Sequence, residues 1–431
     1  MSEPDPAWID AALTAARPQA LAALLRYFRD LDLAEEAFQE ACLRALRTWP
    51  LNGPPRDPTA WLVLVGRNAA IDQTRQRARQ DPLPADDVIA DGGDSDAEAE
   101  LADRLDAAHY RDDVLRLLFI CCHPDLPATQ QIALALRIVS GLSVAQIARA
   151  FLVSDSAMEQ RITRAKARVA KAGVEFATPG AVERAERLAA VAAMIYLVFN
   201  EGYSASGDGA AMRATLCDEA IRLARLLLRL FPAEPEIMGL AALLLLQHAR
   251  TPARHDAAGE IVLLEDQDRS RWNAAMIAEG LALLDKAMRH RRRGPYQVQA
   301  AIAALHARAA RPQDTDWRQI DLLYAALEEL TPSPVVTLNR AVAVAKLSGP
   351  AAALTMIEPL GTPLSGYFHF HGVRGALLRD LGRTEEARVA FDRAIALANS
   401  TAEAAHIRQH LDRLMRDSGT GHSAPAALRA E

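Results

Sequence analysis

Apolar residues return every three or four positions along most of this chain, and almost nowhere do they alternate with a period of two. That pattern predicts amphipathic helices and no sheet. Leu21, Leu24, Leu25 and Phe28 mark an early helix, and Asp30-Leu31-Asp32 breaks it. The next helix, LAEEAFQEACLRALRTW, turns Ala34, Phe38, Ala41 and Ala45 inward and Glu35, Glu36, Gln39 and Glu40 outward. A proline-rich stretch, WPLNGPPRDP, predicts a stiff loop over 50–58. Asp57 then caps a third helix whose first turn holds Pro58. Trp61, Asn68, Asp72 and Arg75 share one face of that helix, which ends in Arg75, Arg77 and Arg79. These helices define a first domain over 12–80.

Residues 81–108 are acidic, glycine-containing and aperiodic, the composition of a flexible linker. A second domain spans 109–175. One helix carries Val114, Leu117, Leu118 and Cys121, and another carries Ile132, Leu136 and Val139. They cradle the stretch from Gly141 to Lys171, which reads as a helix, a tight turn and a second helix. Gly141 suits the end of the preceding helix, Ser143 caps the next, and Ser154 or Ser156 caps the last. Ser156 with Glu159 has capping-box spacing. Met158, Ile162, Ala165 and Val169 point inward, while Gln160, Arg161, Arg164, Lys166 and Arg168 form the other side. A cationic helix braced by a short partner is the shape that enters a DNA major groove.

The half beyond Pro179 is helical again. An extension domain over 180–290 contains IYLVFNEGYSAS, in which Glu201 and Tyr203 belong to a polar knot after an apolar run. A helix end and a small-molecule site are both open readings of that knot. Asp266, Asp268, Arg269 and Trp272 stand in a polar insertion that either lines a groove or cross-pairs on the surface. Over 291–415, Gly375, Gly382, Ala387, Phe391 and Ala394 have the small-and-large spacing of a tetratricopeptide repeat. One 34-residue period earlier come Ala341, Ala353 and Ile357. Residues 416–431 read as a disordered tail.

Composition agrees with an all-α fold: the 431 residues are 50% hydrophobic and only 5% aromatic. A net charge of −6 excludes a globally basic nucleic-acid coat, so any such contact falls to local patches. With no apolar run of membrane length and no signal peptide, a cytoplasmic protein without membrane partners is expected. Four cysteines suit a reducing compartment. Cys121-Cys122-His123 cannot converge on one ion, so packing is the reading there, and neither metal nor cofactor is expected.

LAEEAFQEACLRAL, then AWLVLVGRNAAID, then a helix-turn-helix of this form resembles an extracytoplasmic-function sigma factor of the sigma-70 family, in the subgroup with a TPR-like C-terminal extension. The resemblance makes the first domain sigma region 2 and the second sigma region 4. It implies that Glu36, Gln39 and Glu40 dock on the β′ clamp of core RNA polymerase, whose β subunit is the other expected contact. Glu36 stands where the family often has Asp, and Cys42 where it often has Phe. The resemblance further implies that the 50–58 loop and Asn68 trap a flipped base of the −10 element. Asp72, Arg75, Arg77 and Arg79 lie beside it, the arginines on phosphates. Glu159, Gln160, Arg161, Arg164 and Lys166 match the positions that read the −35 element, where Arg161 or Arg164 suits a guanine. The extension would act in cis and bind a peptide, protein or small molecule.

Two alternatives remain at this level. A helix-turn-helix regulator with a TPR sensor would not need region 2. An enzyme centred on the C-terminal half lacks an evident nucleophile–base pair or metal spacing.

Overall fold

The computed structural model describes residues 7–78, 107–151, 153–171, 181–203, 210–256, 260–398 and 401–420. Among them the fold is all-α, and extended pairing is confined to one antiparallel bridge, His255 with Ile261. The chain divides into two compact units, Met1–Val198 and Phe199–Glu431. Residues 81–106 of the expected linker, Arg79 and the last eleven positions of the tail lie outside the described residues, and residues 107 and 108, expected in the linker, are already helical.

The first unit begins with α1 (Ala7–Phe28), α2 (Leu31–Asn52) and α3 (Pro58–Ala78). Arg29, at a φ of 56°, turns the chain, and Asp30 Oδ1 accepts from Asp32 N at 2.8 Å and Leu33 N at 3.0 Å to start α2. Leu21, Leu24, Phe38 and Leu62 fill the core between the three helices. The proline-rich loop is shorter than its sequence suggests, because α2 runs through Pro50 to Asn52. A proline lacks the N–H that the last turn would use, but Trp49 anchors that turn. It stacks on Trp8 at 6.1 Å and meets Trp61 edge-on at 5.3 Å. Gly53, at a φ of 80°, then ends the helix and donates to Trp49 O.

The unit continues with α4 (Ala107–Cys121), α5 (Ala128–Ile138), α6 (Val144–Ala150) and α7 (Asp155–Lys171). The α6–α7 pair is the helix-turn-helix. Ser143 caps α6 in a reciprocal box with Gln146, and Ser154 Oγ accepts from Ala157 N to cap α7. The Ser156–Glu159 spacing is therefore not the cap; Ser156 already lies inside the helix and its hydroxyl meets that of Ser154. Met158, Ile162, Ala165 and Val169 are all buried, as their spacing predicts. Cys121 and Cys122 are buried at the end of α4, and burial pushes the Cys122 thiol up to about 12.

Helix α8 (Ala181–Tyr203) carries the boundary between the units. The second unit then runs through α9 (Ala210–Leu230), α10 (Pro235–His248), α11 (Ala274–Arg289) and α12 (Pro295–Arg308). It continues with α13 (Trp317–Leu330), α14 (Pro334–Ser348), α15 (Pro350–Ile357), α16 (Phe368–Asp380), α17 (Thr384–Leu397) and α18 (Thr401–Thr420). Apolar on nearly every side, α10 is the buried centre of the first part, and α11 and α12 pack on it. Gly239 permits the crossing: a Cβ there would sit 2.6 Å from Gln297 N. In the last part α16 and α17 pair closely, with Gly375 opposite the Phe391 ring. Leu338, Ala341, Ala353, Ile357, Ala387 and Ala394 share that core. Helix α18 reaches Thr420, past the point where the sequence suggested an unstructured tail.

Candidate functional site

The helices of the first unit expose two chemically different faces. On α2, Glu36 and Gln39 are exposed and Glu40 is half-buried, where its Oε1 accepts from Arg44 Nε at 3.1 Å. Leu43 and Leu46 are exposed one and two turns further on and share this face. The exposed face of α2 thus has a charged end and an apolar end. The leucines went unnoticed in the sequence because their spacing from Phe38 does not separate them from core positions.

On α3, Asn68 is exposed and its amide can both donate to and accept from a base edge. Asp72, Arg75 and Arg77 follow on the same helix. On α7, Glu159, Gln160 and Arg164 are exposed and Arg161 is half-buried. Arg168 Nη1 donates to Asp125 O at 3.1 Å and so is partly committed to the protein itself.

Glu35 does not face solvent with its neighbours. It is 5% exposed and lies among three cations from three helices. Arg137 Nη2 of α5 is 3.0 Å from Oε1, Arg17 Nη2 of α1 is 3.8 Å from it, and Lys166 Nζ of α7 is 2.8 Å from Oε2. The same ammonium reaches Asp32 Oδ1 at 2.7 Å. Burial lowers the Lys166 ammonium, but hydrogen bonds to Asp32 and Glu35 raise it on balance above its ordinary value. Lys166 thus grips α2 instead of standing free on the polar face of α7. Glu35 sits at the margin of the apolar stripe of α2, one turn before Phe38, whose ring Arg17 covers at 5.0 Å. That packing draws the carboxylate inward.

Arg17 adds a second tie, since its Nε donates to Ile138 O at 2.9 Å and its Nη2 to Arg137 O at 3.2 Å. A third tie joins α1 to α4: buried Asp113 is 3.2 Å from Arg26 and 3.3 Å from Arg116. The two helical modules of this unit are therefore clasped to each other. None of the pairs between helices leaves a sequence signal, because those partners are separated by eighteen to more than a hundred positions.

In the second unit, Tyr203, Arg269 and Trp272 lie with Arg250, Arg254 and His306, which sequence spacing did not single out. Asp268 is exposed and caps the short turn Arg269–Arg271 by accepting from Ser270 N. Asp266 is exposed on the surface, and Glu201 is half-buried near the end of α8. The proposed groove is thus reduced to its tyrosine, arginine and tryptophan.

Residues 13–80 match Sigma-70 region 2, residues 116–169 match Sigma-70, region 4, and residues 187–288 match a family of unknown function, DUF6596. The chain is 71% identical over 416 residues to "Uncharacterized protein R00370" of Rhizobium meliloti (strain 1021), covering 96% of this chain and 98% of that protein. Region 2 contains the acidic strip of α2 and exposed Asn68, and region 4 contains the helix-turn-helix. The chain therefore belongs to one family with R00370 and is a sigma-70-type factor of promoter-directed transcription, with DUF6596 following its region 4.

Proposed function

We propose that this protein is an extracytoplasmic-function sigma factor that is regulated in cis by its C-terminal helical extension. The acidic strip Glu36, Gln39 and Glu40, with Leu43 and Leu46 behind it, docks on the β′ clamp of core polymerase. Asn68 receives an unstacked base of the −10 element, and Asp72, Arg75, Arg77 and Arg79 follow the strand. Gln160, Arg161 and Arg164 on α7 read the −35 element, with Glu159 at the helix start. The observation that carries this reading is the presence, in one unit, of an exposed acidic docking strip on region 2 and an exposed polar recognition face on region 4. No catalytic step belongs to the chain; promoter opening draws on binding energy, and polymerase performs the chemistry.

The clasp defines the resting state. Elements at −10 and −35 are separated by about 25 base pairs, roughly 85 Å at 3.4 Å per step. Lys166 cannot stay on Asp32 and Glu35 while region 2 and region 4 occupy both elements. Core polymerase, by holding the modules apart, opens the clasp and frees Lys166 for the duplex. The extension, with its DUF6596 domain and TPR-like helical pairs, biases that opening through a partner of its own.

Run-off transcription with core polymerase tests the reading, using the full chain and a chain ending near residue 180 on the promoter upstream of the protein's own gene. Transcripts that depend on the protein and change in amount on truncation are expected. If the full chain yields no specific transcript and does not associate with core polymerase at low salt, the reading is wrong.

A further inference from the structure

The second unit holds a cluster of cations that polymerase and promoter binding leave unused. Arg250 follows α10, Arg254 follows the short turn Thr251–Ala253, and Arg269 opens the turn Arg269–Arg271. Tyr203 joins the first two. Arg250 Nη2 donates to its phenol oxygen at 2.6 Å, Arg254 Nη1 donates to its backbone carbonyl at 2.7 Å, and the Arg254 guanidinium lies 3.7 Å from its ring centroid. The two short turns pack together and bring Arg269 alongside. Arg269 lies 4.9 Å from the Trp272 ring centroid, and its Nη1 donates to the carbonyls of His306 and Ala309 at the end of α12.

Every one of these acceptors is neutral. Among the described residues, none of the three guanidiniums pairs with a carboxylate. Elsewhere in the same unit exposed or half-exposed arginines do: Arg222 with Glu219, Arg225 with Glu279, Arg340 with Asp321 and Glu328, Arg383 with Glu386. Asp314, whose charge reaches Arg269, is itself held by Arg311 at 2.9 and 3.0 Å. The consequences of an uncompensated cluster are visible in its members. Burial, and then the charge of Arg250, hold Arg254 and Arg269 below the ordinary guanidinium range; for Arg254 the Tyr203 oxygen partly opposes this. Burial, Arg250 and Arg269 together push His306 down to about 4.

Three unfilled valences of the cluster are donors. Arg250 Nε, Arg269 Nε and Trp272 Nε1 are buried without a partner, and Trp272 is only 6% exposed. Buried donors left unmade and like charges left unpaired are both costly. The group that would satisfy them is an acceptor and an anion. A phosphate carries up to two charges and several oxygens, and guanidinium forks match its geometry.

We propose that Arg250, Arg254 and Arg269, with Trp272 Nε1, form a site for a phosphate group, free or carried as a monoester on a small molecule. The site would be the sensor input of the extension. Its occupancy is measured by binding alone, so a failed binding test and a failed transcription test are separate results.

The test uses the full chain. Inorganic phosphate is titrated against chloride at equal ionic strength, and two readouts are followed: the thermal midpoint and the imidazole resonance of His306, assigned by loss in H306Q. Phosphate is expected to raise the midpoint and to move the His306 titration up from about 4 toward its ordinary 6.5, because an anion neutralises the charges that depress it. R250Q should abolish both responses. If R250Q does not fold, R250K is read instead; it keeps the charge, loses the fork, and should weaken binding at least severalfold. Glycerol phosphate binding more than tenfold tighter than inorganic phosphate identifies a phosphorylated small molecule, and equal binding identifies free phosphate. No phosphate-specific response in the wild-type chain, or an undiminished one in the Arg250 variant, overturns the proposal.

Discussion

Replacing Glu35 by Gln should release the helix-turn-helix from region 2 while leaving both modules folded. The Glu35 side chain is 7% exposed, against 20% for Lys166, 24% for Arg137 and 11% for Arg17. At an effective dielectric of about 20, a charge contact near 3 Å is on the order of 5 kcal/mol before desolvation is subtracted. Removing one partner of a buried pair costs about 3–5 kcal/mol, because the remaining charges stay buried and unpaired. Gln keeps the shape and one acceptor, so E35Q belongs at the lower end, about 3 kcal/mol, or roughly two decades in the closed-to-open ratio.

Asp32 supplies the comparison. Its carboxylate is 2.7 Å from Lys166, a shorter contact, but its side chain is 74% exposed. Solvent screening limits such a pair to about 1 kcal/mol or less, so D32N should cost under tenfold. The assay is energy transfer between labels at Leu51 on α2 and Ala170 on α7, both exposed, followed through a urea titration. The four native cysteines are half-buried or buried. Lys166 also fixes the pH behaviour. Its folded value is raised above the ordinary 10.5, so its contribution is complete below 10.5 and fades only as pH rises through the folded value. Closure should therefore be flat between pH 7 and 9. If D32N opens the unit as far as E35Q does, or E35Q leaves the distance unchanged, burial is not what gives the clasp its strength.

Four further outcomes are expected. Glu36→Lys with Glu40→Lys should abolish co-purification with core polymerase, and Arg164→Ala should weaken −35 duplex binding by roughly 1–3 kcal/mol while sparing polymerase affinity, both read by pull-down and by fluorescence anisotropy. His306 is held at about 4 in the fold against 6.5 free, so its neutral form contributes stability above 6.5 that is lost as pH falls toward 4. The wild type should then lose about 2 kcal/mol more than H306Q between pH 7 and 5 in urea unfolding without phosphate. Gly375→Ala places a Cβ 2.6 Å from the Phe391 ring, and this overpacking should cost about 1–3 kcal/mol, seen as a lower thermal midpoint of the second unit.

Local pattern made the helix-turn-helix legible almost residue by residue. Met158, Ile162, Ala165 and Val169 follow a period that only burial on one face explains, and Gly141 stands at a φ of 76° where the preceding helix ends. The close approach of Gly375 to Phe391 was legible for a similar reason: small and large residues at helical spacing mark where two helices meet. What stayed hidden depends on distant partners. Glu35 reads as one more acidic residue on an outer face until Arg17, Arg137 and Lys166 are folded over it. Arg250, Arg254 and Arg269 lack any common period, and only the meeting of two short turns assembles them. Pro50 misled in the other direction, because the Trp8–Trp49–Trp61 stack holds a turn that a proline alone would end.

Arg17 spans both modules with one side chain: it lies against Glu35 and Phe38 on α2 and donates to the last carbonyls of α5. Its stem also fills the space beside Gly141, where a Cβ would come within 2.9 Å of Cδ. Withdrawing region 2 would thus strip the end of α5 at the very point where the chain bends into the DNA-reading motif. Separation of the halves and loosening of that bend are one event, so a disturbance at α2 would be transmitted to the helix-turn-helix as a step and not as a gradual drift.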